Sequence, residues 1–363
     1  MASFTPVPLT PPDLRIPTST AIVTVRVIDT TTTLHLKPSL FWTPEIPSLT
    51  GIDAPTLSFL ISSETQSKHV LFDLGVRKDW ENYAPATVDL IKKTTKVTVH
   101  KNIAEILDDD DKGCSVKSTD ISALIWSHHH FDHIGDPSTF PPATALIVGP
   151  GAKQFISSGY PTRPEATTLD SDTKGREILE LDFTPSNPQA CKVGRFNAVD
   201  YFGDGSFYLL DAPGHSVGHI CALTRVTSAP DSFIFMGGDA AHHPGLIRPS
   251  AYLPIPKVIS PSPFKHGLAP SQGVIRGIYP AKSLTEPFLK LARGMFPDYE
   301  AAEDTLGKIQ ELDAQEDILV ILPHDRSILG GLEVFPGNAN QWRTQGVKEK
   351  VRWAFLVDFE ATL

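Results

Sequence analysis

Cysteine is scarce. The 363 residues include 3 cysteines, and Cys114, Cys191 and Cys221 lie far apart. They form no CxxC pair and, being odd in number, no complete disulfide framework. That excludes a disulfide-stapled scaffold and predicts a cytoplasmic chain in a reducing compartment. Long apolar runs are missing too: none approaches about 18 residues, so neither a membrane-spanning helix nor a membrane partner is expected. The stretch from Met1 to Leu9 lacks the basic and apolar regions of a secretory signal. Positive charge is in deficit, with 32 Lys and Arg against 42 Asp and Glu and a net charge of −10. With no basic block to override it, that balance argues against nucleic acid as a partner.

Hydrophobic residues make up 40% of the chain and glycines number 25, a globular composition that supports a sizeable core. At roughly 150 residues per domain the length allows two domains or one elaborated domain. No solenoid-period repeat and no break in composition marks a second domain, so one is expected. Two excesses remain: 32 prolines, well above an average usage of about 5%, and 13 histidines.

Residues 1–20, rich in Pro, Thr and Ser, read as an extended arm. Apolar patterning predicts strands over 21–29, 56–62, 69–73, 120–126, 144–149, 177–182, 206–211, 219–225, 232–237 and 317–322. Helical spacing predicts helices over 86–95, 101–107, 150–158, 284–295 and 298–313. The domain proper is placed at 21–335, with a Pro-rich insertion over about 244–283. A C-terminal helix near 341–354 and its tail, within 336–363, are expected to pack on the domain. The mixed order of elements predicts an α+β fold, with sheets covered by helices.

The histidines become informative where they cluster. Residues 128–133 read His-His-His-Phe-Asp-His, directly after a predicted strand. His128 and His130, two apart on one side of an extended segment, suit one metal ion. Asp132 and His133 then offer a carboxylate and an imidazole for a second. Such donors suit Zn²⁺ at about 2.0–2.2 Å and suit Fe or Mn nearly as well. Three further predicted strands end in polar patches: Asp211 to His219, Gly237 to His243, and Pro323-His324-Asp325. The four patches could converge on one edge of a sandwich.

In this order the patches resemble the metallo-β-lactamase superfamily. Its pattern of His-x-His-x-Asp-His, a distant His, an Asp and a final His is met by His128, His130, Asp132, His133, His215, Asp239 and His324. The resemblance covers about residues 20–330. It implies an αββα metallo-β-lactamase-like sandwich holding two Zn²⁺ per chain. His128, His130 and His215 would hold one ion, and Asp132, His133 and His324 the other. Asp239 would bridge them, and His129 would be a spacer. Asp73 resembles the family's early strand-end aspartate and would orient ligands through hydrogen bonds.

The implied chemistry is attack of a metal-bridging hydroxide on the carbonyl of a small molecule. Asp132 would double as a proton shuttle. The site is similar to the dinuclear lactonase branch, including quorum-quenching lactonases. That branch carries a Tyr three residues after the bridging Asp, where this chain has His242, which would contact the substrate in its place. The long insertion resembles fungal members that open lactones or lactams such as benzoxazolinones. Ring-opening of a cyclic ester or amide is therefore expected. The alternatives are a thioester hydrolase, of glyoxalase-II-like or acyl-carrier type, and a mononuclear iron persulfide dioxygenase. Trp80, Tyr83, Tyr252, Phe264, His266 and Tyr279 are the candidate pocket residues. His219 reads as a strand start and His243 as a loop residue. The insertion is expected either to cap the pocket or to build a homodimer interface.

Overall fold

The computed structural model describes residues 6–46, 49–109, 113–264, 269–278 and 283–362. Two six-stranded sheets form its centre. The first contains β1 (Thr24–Asp29), β2 (Leu57–Ser63), β3 (Lys68–Phe72), β4 (Ile121–Ile125), β5 (Ala145–Val148) and β6 (Ile178–Glu180), hydrogen-bonded in that order. The second contains β7 (Ala190–Val193), β8 (Phe196–Asp200), β9 (Phe207–Asp211), β10 (Ile220–Ser228), β11 (Asp231–Met236) and β12 (Ile318–Ile321), again in order. The first sheet starts as antiparallel hairpins and turns parallel from β3 to β6. The second is antiparallel until β11, which pairs parallel with β12.

Inward-facing residues of both sheets meet in one core. Val25, Phe59, Ile61, Phe72 and Ile125 from the first sheet pack with Leu209, Ala222, Ile234, Met236 and Leu319 from the second. Strand β2 is buried at every position, as expected of a strand covered on both faces. A helix at Tyr299–Asp313 covers the second sheet. Asp298 caps it through Ala301 N (3.0 Å), and it buries Ala302, Leu306, Ile309 and Leu312 on one face. These layers have the αββα sandwich architecture that the resemblance implies.

Residues 6–20 carry no regular element but are held on the second sheet. Gly194 N donates to Leu14 O, and the buried Arg225 guanidinium donates to Pro17 O. Two helix expectations are corrected. Over 284–295 the chain forms a two-residue strand, Lys290–Leu291, paired with Trp42–Thr43, and then a turn. Pro287 lacks a helical N–H, Phe288 N and Leu289 N bond to Arg248 O and Gly245 O, and Gly294 takes φ +106. Over 341–354 only Val347–Val351 is α-helical. Trp342 is drawn into the inter-sheet core and Gly346 adopts a left-handed φ of +63, so the segment bends. A helix at Gln272–Ile278 and strands over 190–200 were not expected.

Candidate metal centre

The polar patches sit at the carboxyl ends of β3, β4, β9, β11 and β12, which the sheet directions bring to one edge of the sandwich. Asp73 follows β3 and is a non-glycine residue at φ +61, a conformation L-residues rarely adopt. Its two oxygens explain the strain. Oδ1 accepts from Ser127 N (2.7 Å), and Oδ2 accepts from His133 Nδ1 (2.8 Å). One carboxylate thus fixes the start of the histidine loop and the orientation of His133. Gly238, next to Asp239, takes φ +47; a Cβ there would stand 2.8 Å from His219 Nε2.

Two ligand groups result. His128, His130, His215 and Asp239 form one, and Asp132, His133, Asp239 and His324 the other, with the donor atoms of each within 4.8 Å of one another. Asp239 belongs to both. Its Oδ2 faces His128 and His215 (3.6 and 3.4 Å), and its Oδ1 faces His133 and His324 (both 3.0 Å). Asp132 Oδ2 lies 3.4 Å from His324 Nε2. His324 Nδ1 donates to Pro55 O (2.8 Å), which turns its Nε2 inward.

The residues fit divalent cations. Nε2 of His133, Nε2 of His324 and Asp239 Oδ1 are buried and make no hydrogen bond despite their proximity. Nδ1 of His130 and Nε2 of His215 face each other at 3.0 Å. Buried donor atoms crowded onto one point are the arrangement of ligands around an ion. The electrostatics of the first ligand group agree. Burial and neighbouring histidines hold His128 and His215 well below the usual histidine range, and burial takes His130 to about 3. All three rings therefore keep free lone pairs near neutral pH. Burial pulls His133 down, but Asp239, Asp73 and Asp132 more than offset it and leave it well above the usual range. Burial would raise Asp239, but the surrounding histidines hold it well below the usual carboxylate range, so it stays ionised.

His242 joins the cluster. Its Nε2 is 3.2 Å from Asp239 Oδ2, its ring stacks on His324 at 6.0 Å and 9°, and Phe41 packs on it at 4.3 Å. His129 turns away and stacks on Phe155. An apolar cavity opens beside Asp132 and Asp239, and among the described residues Trp80, Tyr83, Tyr252 and Phe264 do not line it. Trp80 is half-buried against the core. Tyr83 is buried; its hydroxyl donates to Phe131 O (2.7 Å) and accepts from Arg77 N (3.1 Å), bracing the histidine loop from behind. Phe264 is part of the core and Tyr252 is half-buried. His266 and Tyr279 lie outside the described residues.

One residue that sequence reasoning set aside matters here. His219 Nε2 accepts the Asp239 backbone N–H (3.0 Å) while its Nδ1 donates to Ala212 O (3.0 Å). The signal was its spacing, four residues after His215 in Gly-His-Ser-Val-Gly-His.

The fold and the two-lobed ligand cluster define a metal-dependent hydrolase. The chain belongs to the metallo-beta-lactamase superfamily, whose family model matches residues 53–227. It is 50% identical to a metallo-hydrolase, mfmC, of Annulohypoxylon moriforme over 98% of this chain and 92% of that protein. It is 42% identical to gamma-lactamase FDB1 of Fusarium pseudograminearum, covering 96% of this chain and 85% of that one. A solved N-acyl homoserine lactone hydrolase, with its product N-hexanoyl-L-homoserine at the catalytic metal centre, superposes with a TM-score of 0.54. The match covers 88% of this chain and 99% of that one at 16% identity, a likeness of fold. No helix among the described residues is long and apolar enough to cross a membrane.

Proposed function

We propose that the chain opens a small cyclic ester or amide, a lactone or lactam, by hydrolysis at its carbonyl in the cytoplasm. The observation that carries this reading is Asp239, which presents one oxygen to each of two buried ligand groups beside an apolar cavity. The names of the relatives, a metallo-hydrolase and a gamma-lactamase, support it. His128, His130 and His215 would hold one zinc ion and Asp132, His133 and His324 the other. When bound, the pair activates water and polarises a carbonyl.

The chain's own groups do the rest. Ionised Asp239 ties the two groups together. Asp73 holds the His133 ring, Ser127 Oγ the His128 ring (3.0 Å to Nδ1) and Pro55 O the His324 ring, as partners of ligating histidines do. Asp132 lies at the cavity floor, and burial raises its pKa; its carboxylate takes a proton from the attacking water and delivers it to the leaving ring atom. His242, on the same side, donates a hydrogen bond to the carbonyl oxygen. The ring C–O or C–N bond breaks, the water oxygen bonds to the carbonyl carbon, and the product is a hydroxy acid or an amino acid.

The test is metal quantification and a panel of lactones, lactams and thioesters on one purified sample. About two zinc ions per chain and ring opening are expected. One iron per chain with oxygen uptake would reverse the reading. Asp132→Ala and His215→Ala should each abolish turnover and lower the metal content.

A further inference from the structure

The cavity beside Asp132 and Asp239 has a volume of about 90 Å³. Leu34 and Leu36 on the strand Thr33–Leu36, Leu40 and Phe41 on the helical turn Pro38–Phe41, Phe131 and Met295 wall it. Thr94 and Thr95 also border it, but their hydroxyls are committed to the carbonyls of Leu90 (2.7 Å) and His35 (2.9 Å). No lysine or arginine lines it among the described residues. The cavity is thus apolar on its walls, with the two ligand groups meeting at its floor. Phe41 packs on both the cavity and the His242 ring, so a group seated there lies next to any carbonyl held at the cluster.

We infer that this cavity is a subsite for one compact, uncharged apolar substituent attached next to the reacting carbonyl. This rests on the hydrolase reading above and names its substrate class. The space is that of several waters, each of which needs about 10–15 Å³ of it, enough for a short branched alkyl group or the inserted edge of a single ring. An anionic arm, such as the carboxylates of a peptide thiol or a nucleotide phosphate, finds no lysine or arginine on these walls among the described residues. A long linear acyl chain cannot lie wholly inside and must leave its end in water. Met295 is 40% exposed at the mouth, and its flexible thioether adapts to the edge of the occupant.

The experiment uses the zinc-loaded full chain. Hydrolysis of γ-butyrolactone is compared with that of its α-phenyl and α-octyl derivatives. Calorimetry in parallel measures binding of acetate, phenylacetate and decanoate. The α-phenyl lactone should exceed the other two in kcat/KM by about tenfold or more, as a filled apolar pocket gives, and phenylacetate should bind about tenfold tighter than acetate. Leu40→Trp, at a half-exposed position, should erase both preferences at unchanged zinc content. If ring opening occurs with no preference, or if Leu40→Trp leaves the preference intact, the subsite is refuted while the hydrolase reading stands. If no lactone or lactam opens but phenylacetate keeps its Leu40-dependent advantage, the hydrolase reading fails and the subsite stands.

Discussion

His219 shows how the site depends on side chains that touch no substrate. Its Nδ1–H is spent on Ala212 O, so Nε2 can only accept, and it accepts the N–H of Asp239. Burial takes its pKa to about 4, which keeps that lone pair free near neutrality. His219→Ala should lower metal affinity by about 10–100-fold, the usual cost of losing a partner behind a ligand. Competition with a chromophoric chelator would measure it. His219→Gln, which can still accept at a similar reach, should recover part of the loss. Equal affinity in all three proteins would remove His219 from the site. A second residue-scale expectation concerns Asp172, far from the ligands in sequence. Burial, opposed by the Leu169 N–H, raises its pKa to about 7, and its Oδ1 has no hydrogen bond. Between about 3.8 and 7 the folded chain holds a proton there that the unfolded chain has lost. The cost of this carboxylate therefore grows as pH rises through that window and is complete above about 7. Asp172→Asn keeps the acceptor for Leu169 N and should raise the melting temperature at pH 8, with the gain vanishing near pH 4. A variant that melts lower than the parent at pH 8 would contradict this.

At the scale of elements, the segments that deliver the ligands were legible and those that build the cavity were not. The strand ends before His128, His215, Asp239 and His324 announce themselves because a buried apolar run stops abruptly at polar and glycine residues. Thr33–Leu36 and Pro38–Phe41 are too short for any periodicity to register, yet they wall the cavity. The segment 284–295 sits where local spacing suggests helix, and hydrogen bonds from Phe288 N and Leu289 N to Arg248 O and Gly245 O decide otherwise. The C-terminal segment is the other surprise. Its residues Ala354–Thr362 form a 3-10 stretch, and Asp358 accepts from His243 Nε2 (3.2 Å) and pairs with Arg326. His243 adjoins His242, and Arg326 stands two residues past His324. One carboxylate therefore ties together the loops after β11 and β12, and Arg248 adds a second tie through Arg352 O (2.8 Å). Asp358→Asn cannot serve both partners, because His243 Nδ1 already accepts from Gly245 N and its Nε2–H needs an acceptor. It should weaken binding of one metal ion by about tenfold or more. Arg326→Gln, which spares the His243 bond, should cost less. Chelator competition beside metal-free melting curves checks this, and lower stability with unchanged affinity would leave the tail a packing element alone.

At the scale of the whole molecule, one sandwich carries both halves of the site, and this links metal binding to global stability. The first sheet contributes Asp73 and the His128–His133 loop; the second contributes His215, Asp239 and His324. The ligand groups close only when the sheets are packed together, so the unfolded chain offers no comparable site. An ion bound only by the folded state stabilises it by RT ln(1 + [L]/Kd), about 4 kcal/mol at a thousandfold excess over Kd. Without ions, the carboxylates of Asp132 and Asp239 and a ring of histidines remain buried against one another, which adds to the cost of the metal-free fold. For a domain of this size each kcal/mol moves the melting temperature by about 2 °C, so removing the ions should lower it by roughly 8 °C or more. Chelation followed by gel filtration, with metal content measured on the same fractions, sets up the comparison, and added zinc should restore the original value. His215→Ala breaks one ligand group and should shrink the shift rather than abolish it, because the group around Asp132, His133 and His324 is intact. If the metal-free protein melts with the loaded one, the ligand groups are not coupled to the packing of the sheets.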